Sequence, residues 1–180
     1  MLRTLFYKDE HFNVAIWEGG TGEALELNDA PMKRSEFACF TVVLRGRLRM
    51  IDPDGQVRWQ YLPGSTSDEG GDFDKAGVWR WEPMDTITQE LCFSALEAKD
   101  PSDPDSPRVE SDRGVPHEVI DVPPDVGLVV KGYALVVVVR GAFESAKGVL
   151  RAPHFARVKD GASELRAIGG GGRVVVLKPL

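Results

Sequence analysis

The chain has 180 residues and a formal net charge of −6, which fits one domain or two small fused halves and argues against phosphate-backbone binding as its main task. Apolar residues make up 42 %, enough for a sizeable core, while 19 glycines and 12 prolines suit short strands and turns rather than long helices. Two cysteines, Cys39 and Cys92, exclude a disulfide framework and a structural zinc site.

In chain order, residues 13–18 read as a short strand and 23–27 as a weaker one. Residues 37–51 form the strongest strand region of the first half, broken at Gly46. Asp52-Pro53-Asp54-Gly55 reads as a turn before a strand over 57–62. Residues 65–76 are polar and glycine-rich, hence a loop, and 78–82 and 87–96 are strands. Residues 99–114 (KDPSDPDSPRVESDRG) hold three prolines and few apolar residues, which predicts a linker. Beyond it, 118–122, 127–130, 133–143 and 149–158 look extended. Residues 162–168 alone suggest helix. Gly169 to Gly172 (GGGG) read as a hairpin turn before a last strand over 173–177. The longest apolar run, 133–139, is far too short to span a bilayer. Arg3, Lys8, Asp9 and Glu10 interrupt the start, so no secretory leader is expected. Two free thiols then suit a cytoplasm, or a particle assembled in one.

The two halves share a pattern. Phe40-Thr41-Val42-Val43-Leu44-Arg45-Gly46 matches Leu135-Val136-Val137-Val138-Val139-Arg140-Gly141, an apolar run closed by arginine and glycine. Each follows a proline-containing stretch, Asp29-Ala30-Pro31 or Asp121-Val122-Pro123. The two glycines are 95 residues apart, close to half the chain, as a duplication would give. Chance likeness of two valine-rich strands is the alternative.

One further spacing stands out: Gly77, five residues, Pro83, then Thr88 five positions on. This resembles the second cupin motif, whose last position is normally a metal-binding histidine. Asp85 stands for a motif glycine and Cys92 for the closing asparagine. Gly46 resembles the closing glycine of the first motif. That alignment puts Cys39 at its acidic ligand and Met32-Lys33-Arg34-Ser35 where its histidines would fall. The match is good over residues 25–96. In the second half, Gly141 fits the first motif. Lys159-Asp160-Gly161-Ala162-Ser163-Glu164 fits the second more loosely, with Lys159 for proline and Glu164 for histidine.

The resemblance implies an all-β chain of two cupin-like jelly-roll barrels or sandwiches, a degenerate bicupin. Residues 1–98 would form the N-terminal barrel, 99–114 an acidic linker and 115–180 a smaller degenerate half. It also implies that the metal ligands are lost in both halves, so neither a resident metal nor another cofactor is expected. His11, His117 and His154 show no ligand spacing.

The resemblance implies that Cys39 and Cys92 point into the first barrel. Side chains alternate along a strand, so Thr41 shares the face of Cys39, and Thr88 and Glu90 share that of Cys92. Two thiols, two hydroxyls and a carboxylate would line a small pocket. A thiolate site and simple packing of small apolar cysteines are the two readings. Trp79 and Trp81 lie on one side of their strand and serve either as a stacking platform for a sugar or base or as a wall of core or interface. Arg45, Arg47 and Arg49 form a basic stripe, either an anion site or an exposed face balanced by acids.

There is no phosphate-binding glycine loop, nucleophile elbow or DNA-reading helix pair. A metal-independent cupin isomerase or epimerase is a further alternative, ranked below binding because such enzymes still need a general base that the motif positions do not supply, and no catalytic residue is assigned. Two functions stand nearly level. One is a non-catalytic, metal-free cupin-like protein that binds a small polar ligand, such as a sugar or organic acid, or a protein partner. The other is a jelly-roll subunit of an assembly, for example a viral particle. Both are compatible with a homo-oligomer, and neither involves nucleic acid or membrane.

Overall fold

The computed structural model describes residues 1–28, 30–33, 38–159 and 161–180. Asp29 of the first proline turn, Arg34 and Ser35 at the motif-one histidine positions, residue 37 and Asp160 lie outside them. The chain is all-β, and its one helical element among the described residues is a single 3-10 turn, Ser67–Glu69. No helix among the described residues is long and apolar enough to cross a membrane. The chain divides into two compact units, Met1–Gly114 and Val115–Leu180.

The first unit contains β1 (Leu2–Lys8), β2 (Phe12–Gly19), β3 (Leu25–Leu27), β4 (Cys39–Arg45), β5 (Leu48–Ile51), β6 (Val57–Tyr61), β7 (Trp79–Pro83), β8 (Thr88–Ala98) and β9 (Arg108–Glu110). One sheet runs β1-β2-β8-β4, with β9 also on β8; a second runs β3-β7-β5-β6. Inward side chains follow the period of two. On β5, Leu48 and Met50 are wholly buried, while Arg49 turns outward to Glu82 on β7 at 2.9 Å. Arg47 forks onto Asp85 at 2.7 Å. Two of the three stripe arginines are thus bound to acids.

The core of this unit is aromatic. Val43 of the first sheet joins Leu48, Met50, Tyr61, Phe73, Trp79 and Trp81. Trp59 stacks on Trp79 with ring centroids 5.6 Å apart, and Tyr61 on Trp81 at 5.4 Å. Phe73 meets Trp79 edge-on at 5.0 Å. It comes from the polar 65–76 loop, fixed there by paired backbone hydrogen bonds with Met32 of 3.1 and 3.0 Å.

The turn after β5 is built on Asp52. Its carboxylate accepts from the backbone N–H of Asp54 at 3.0 Å and of Gln56 at 2.8 Å, and from Lys75 at 2.5 Å. The Lys75 bond outweighs burial and, with those backbone bonds, lowers the Asp52 pKa to about 2. A carboxyl more acidic when folded stabilises the fold above its unfolded pKa of about 4 and loses that contribution as pH falls towards 2. Wild-type thermal stability is therefore expected to drop over that window, and Asp52→Asn to drop less steeply. Parallel melting profiles would contradict this.

Residues 99–114 are not a linker. Arg108–Glu110 pairs with Leu96–Ala98 of β8, Ser106 accepts from the Asp100 N–H at 2.7 Å, and Ser111 N–H reaches Ala95 O at 2.9 Å. Backbone hydrogen bonds, not apolar burial, order this polar stretch, so its composition misleads. The first unit extends to Gly114 instead of ending at 98, and the second begins at Val115.

The second unit has β10 (His117–Val122), β11 (Gly127–Lys131), β12 (Ala134–Ser145), β13 (Gly148–Arg151), β14 (His154–Val158) and β15 (Ala162–Leu177). They form one sheet ordered β10-β15-β12-β13, with β11 on β15 and β14 on β12. Its core includes Val136, Val138, Phe143, Leu165, Ala167, Val174 and Val176. The helix expected over 162–168 is strand. Leu165 and Ala167 are buried while Glu164 and Arg166 are exposed, a period of two that pairing with β11 and β12 enforces.

The glycine run is likewise no hairpin turn but the middle of β15. Gly169 and Gly171 have φ of +66° and +81°, and the strand passes so close to β12 that a Cβ on Gly172 would lie 2.5 Å from Arg140 O. Four glycines let the strand bend and touch its neighbour.

Candidate functional site

The register of β4, β8 and β2 lays the site residues out in rows. Cys39 faces Ser94, Thr41 faces Cys92 and Val43 faces Glu90. Across the other edge of β8, Asn13 faces Ser94, Ala15 faces Cys92, Trp17 faces Glu90 and Gly19 faces Thr88. All share the face of Val43, which belongs to the aromatic core. Cys39, Thr41, Glu90 and Cys92 are therefore brought together on the inner face of the first sheet.

Four polar side chains in these rows are buried: Thr41 at 8 %, Thr88 at 2 %, Glu90 at 6 % and Ser94 at 5 % exposure. Cys92 is buried and Cys39 half-buried. The neighbouring Cys39 thiol, together with burial and the nearby Glu90 charge, pushes the Cys92 thiol above the ordinary thiol range; Arg3 opposes the shift.

Thr88 stands apart. It lies at the first residue of β8, where its hydroxyl donates to Arg47 O at 3.3 Å. Trp79 and Trp81 lie in the opposite sheet. Trp79 is wholly buried and gives its indole N–H to Lys75 O at 2.9 Å. Both tryptophans form the aromatic wall of the core. In the second unit Glu164 is exposed.

Arg3, Asn13, Ser94 and Glu110 complete the polar face and were not anticipated. Arg3 donates to Glu110 at 3.1 Å, and Asn13 donates to the same carboxylate oxygen. Burial raises the Glu110 carboxyl, but the bonds from Asn13 and Arg3, the Arg3 charge and a bond from Ser94 outweigh it and hold it below its usual value. The Arg3 guanidinium lies 5.9 Å from the Trp17 ring centroid. Asn13 Oδ1 is buried and accepts from none of the described residues. Alternation from Cys92 would have found Ser94. Arg3 and Glu110 come from β1 and β9, two strands that carry no clear sequence signal.

The fold is of the cupin type. The chain is similar to a cupin 2 conserved barrel domain protein from Leptotrichia buccalis, with TM-score 0.58, 10 % identity, and 99 % of this chain and 88 % of that one covered. It is also similar to the bacterial pirin YhhW from Escherichia coli, solved in complex with nickel(II), with TM-score 0.51, 11 % identity, and 98 % and 90 % covered. No protein-family model matches the chain, and no curated protein matches it.

The residues present do not fit the metal that this fold often carries. Among the described residues no three His, Cys, Asp or Glu side chains converge as ligands. The first-motif position holds a half-buried cysteine, the second a threonine whose hydroxyl is bonded to backbone. The Cys39 thiol and burial hold the Cys92 thiol above its ordinary range, which disfavours the thiolate that a metal needs.

Proposed function

We propose that this chain is a non-catalytic, metal-free cupin-type binding protein whose first unit holds a small neutral ligand rich in hydroxyl groups, of the sugar class. The observation that carries this reading is the pairing of two unlike walls. One bears buried Thr41, Glu90, Ser94 and Cys92; the other is formed by Trp79, Trp81 and Tyr61. Small-ligand sites combine apolar surface with a few convergent polar groups.

Charge selects the ligand class. Acceptors dominate the polar face: Glu90, Glu110 and Asn13 Oδ1, against Arg3, which is already turned to Glu110. An organic anion would approach two carboxylates, whereas a polyhydroxyl ligand donates to them. Of the two ligand classes considered, the sugar fits better. The matching left-handed φ of Gly46 (+71°) and Gly141 (+81°) supports reading the two units as a duplicated pair.

A second reading keeps one observation in its favour. β1 is an edge strand carrying exposed Leu2, Leu5 and Phe6, and such an edge suits subunit packing.

A set of neutral hexoses and 6-deoxyhexoses, titrated against tryptophan emission and melting temperature, tests the ligand reading. At least one is expected to quench the emission and raise the melting temperature, with the response lost in Thr41→Val. Stabilisation by malate or citrate with no response to any neutral sugar would contradict it.

A further inference from the structure

We propose that Cys39 and Cys92 are a redox-sensitive dithiol that closes to an intrachain disulfide on the inner face of the first sheet. Thr41 pairs with Cys92 and Cys39 with Ser94 across the antiparallel β4–β8 ladder, so the two cysteines are diagonal neighbours on one face. They are close enough that the Cys39 thiol is the largest influence on the Cys92 proton. The chain has no other cysteine to compete with this pairing.

The geometry also sets the character of the bridge. Diagonal neighbours lie roughly 7–8 Å apart at Cα and somewhat closer at Cβ, beyond the roughly 4.4–6.8 Å that a disulfide usually spans, so the bridge needs backbone movement. Closure must draw β4 towards β8 and leaves strain in the bond. Strained disulfides have higher potentials and are re-reduced readily. The pair therefore acts as a reversible switch and not as a permanent staple.

Exposure orders the chemistry. Cys39 is half-buried and Cys92 is buried, so a disulfide oxidant such as oxidised glutathione meets Cys39 first. The Cys39 thiolate attacks one glutathione sulfur, the glutathione S–S bond breaks, and one glutathione thiolate leaves. Cys92, losing its proton to solvent, then attacks the Cys39 sulfur of the mixed disulfide and expels the second glutathione. Two protein thiols are oxidised, and one glutathione disulfide is reduced to two glutathione molecules. Closure of the bridge requires no bound sugar.

The test uses the full chain, reduced, desalted and incubated with oxidised glutathione, then acid-quenched, alkylated with iodoacetamide and weighed intact. Wild type is expected to lose two hydrogens, to take up no alkyl group, to yield a non-reduced peptide linking Cys39 to Cys92, and to recover both thiols in excess reduced glutathione. Cys92→Ser is expected to stop at a glutathione adduct on Cys39, and Cys39→Ser to show no two-hydrogen loss. A wild-type chain that keeps both thiols alkylatable, stops at the Cys39 adduct, or links two chains would overturn the proposal.

Discussion

Replacing Gly46 with valine is expected to unfold or severely destabilise the first unit. Gly46 joins β4 to β5 with φ +71°, a region in which a β-branched residue is a strong outlier. Sterics forbid the side chain as well: a Cβ there would lie 2.6 Å from Ile87 O and from Thr88 Oγ1, and 2.9 Å from Thr88 Cα. Two of these three atoms are backbone at the start of β8, the strand that carries Glu90 and Cys92. The left-handed conformation costs about 1–2 kcal/mol for an L-residue and overpacking typically about 1–3 kcal/mol, so a loss of about 3 kcal/mol is expected. The check is a denaturant titration that follows tryptophan emission, since all four tryptophans (Trp17, Trp59, Trp79 and Trp81) lie in this unit. An unchanged midpoint would remove the basis for aligning Gly46 with the cupin motif.

Trp79→Ala is the second large effect, and it separates the two roles considered for this tryptophan. The ring has no exposed surface, stacks on Trp59, receives the edge of Phe73, and gives its N–H to Lys75 O. Truncating a buried aromatic of this size costs about 3–5 kcal/mol, because the cavity collapses only in part. The lost hydrogen bond also leaves the Lys75 carbonyl to find another donor. A large fall in denaturation midpoint is expected. A variant with wild-type stability but no sugar response would instead make Trp79 a ligand platform.

The parts of the fold that were legible from sequence are those set by local demands. Gly46, Gly77 and Gly141 mark left-handed positions, and at each a side chain would strike a neighbour: Thr88, Pro53 or Gly171. That is why glycine spacing carried the resemblance to the cupin motifs. The Asp52 turn was legible for the same reason, since an aspartate capping its own loop is a local device.

What was not legible depends on partners distant in sequence. β1 and β9 lack alternation and exist because β2 and β8 offer them an edge. Residues 162–168 have helix-compatible composition, and long-range pairing overrides it. The GGGG run reads equally as turn or bend until β12 is seen beside it.

The candidate site divides in the same way. Alternation on two adjacent strands was enough to bring Cys39, Thr41, Glu90 and Cys92 onto one face. It could not reveal that Thr88 is engaged with Arg47, because that bond spans 41 residues. Nor could it find Arg3 and Glu110, which meet on the same face although their strands are the first and last of the unit in sequence.

The most direct test of the central claim is native mass spectrometry of the full chain, expressed in rich medium and purified gently without added metal. A sugar-binding chain is expected to carry a reproducible extra mass that matches a small neutral organic molecule, is lost on mild collisional activation, and is restored by the hexose that stabilises the protein. A stoichiometric metal ion surviving purification, or a bare chain locked in a large closed assembly, would contradict it.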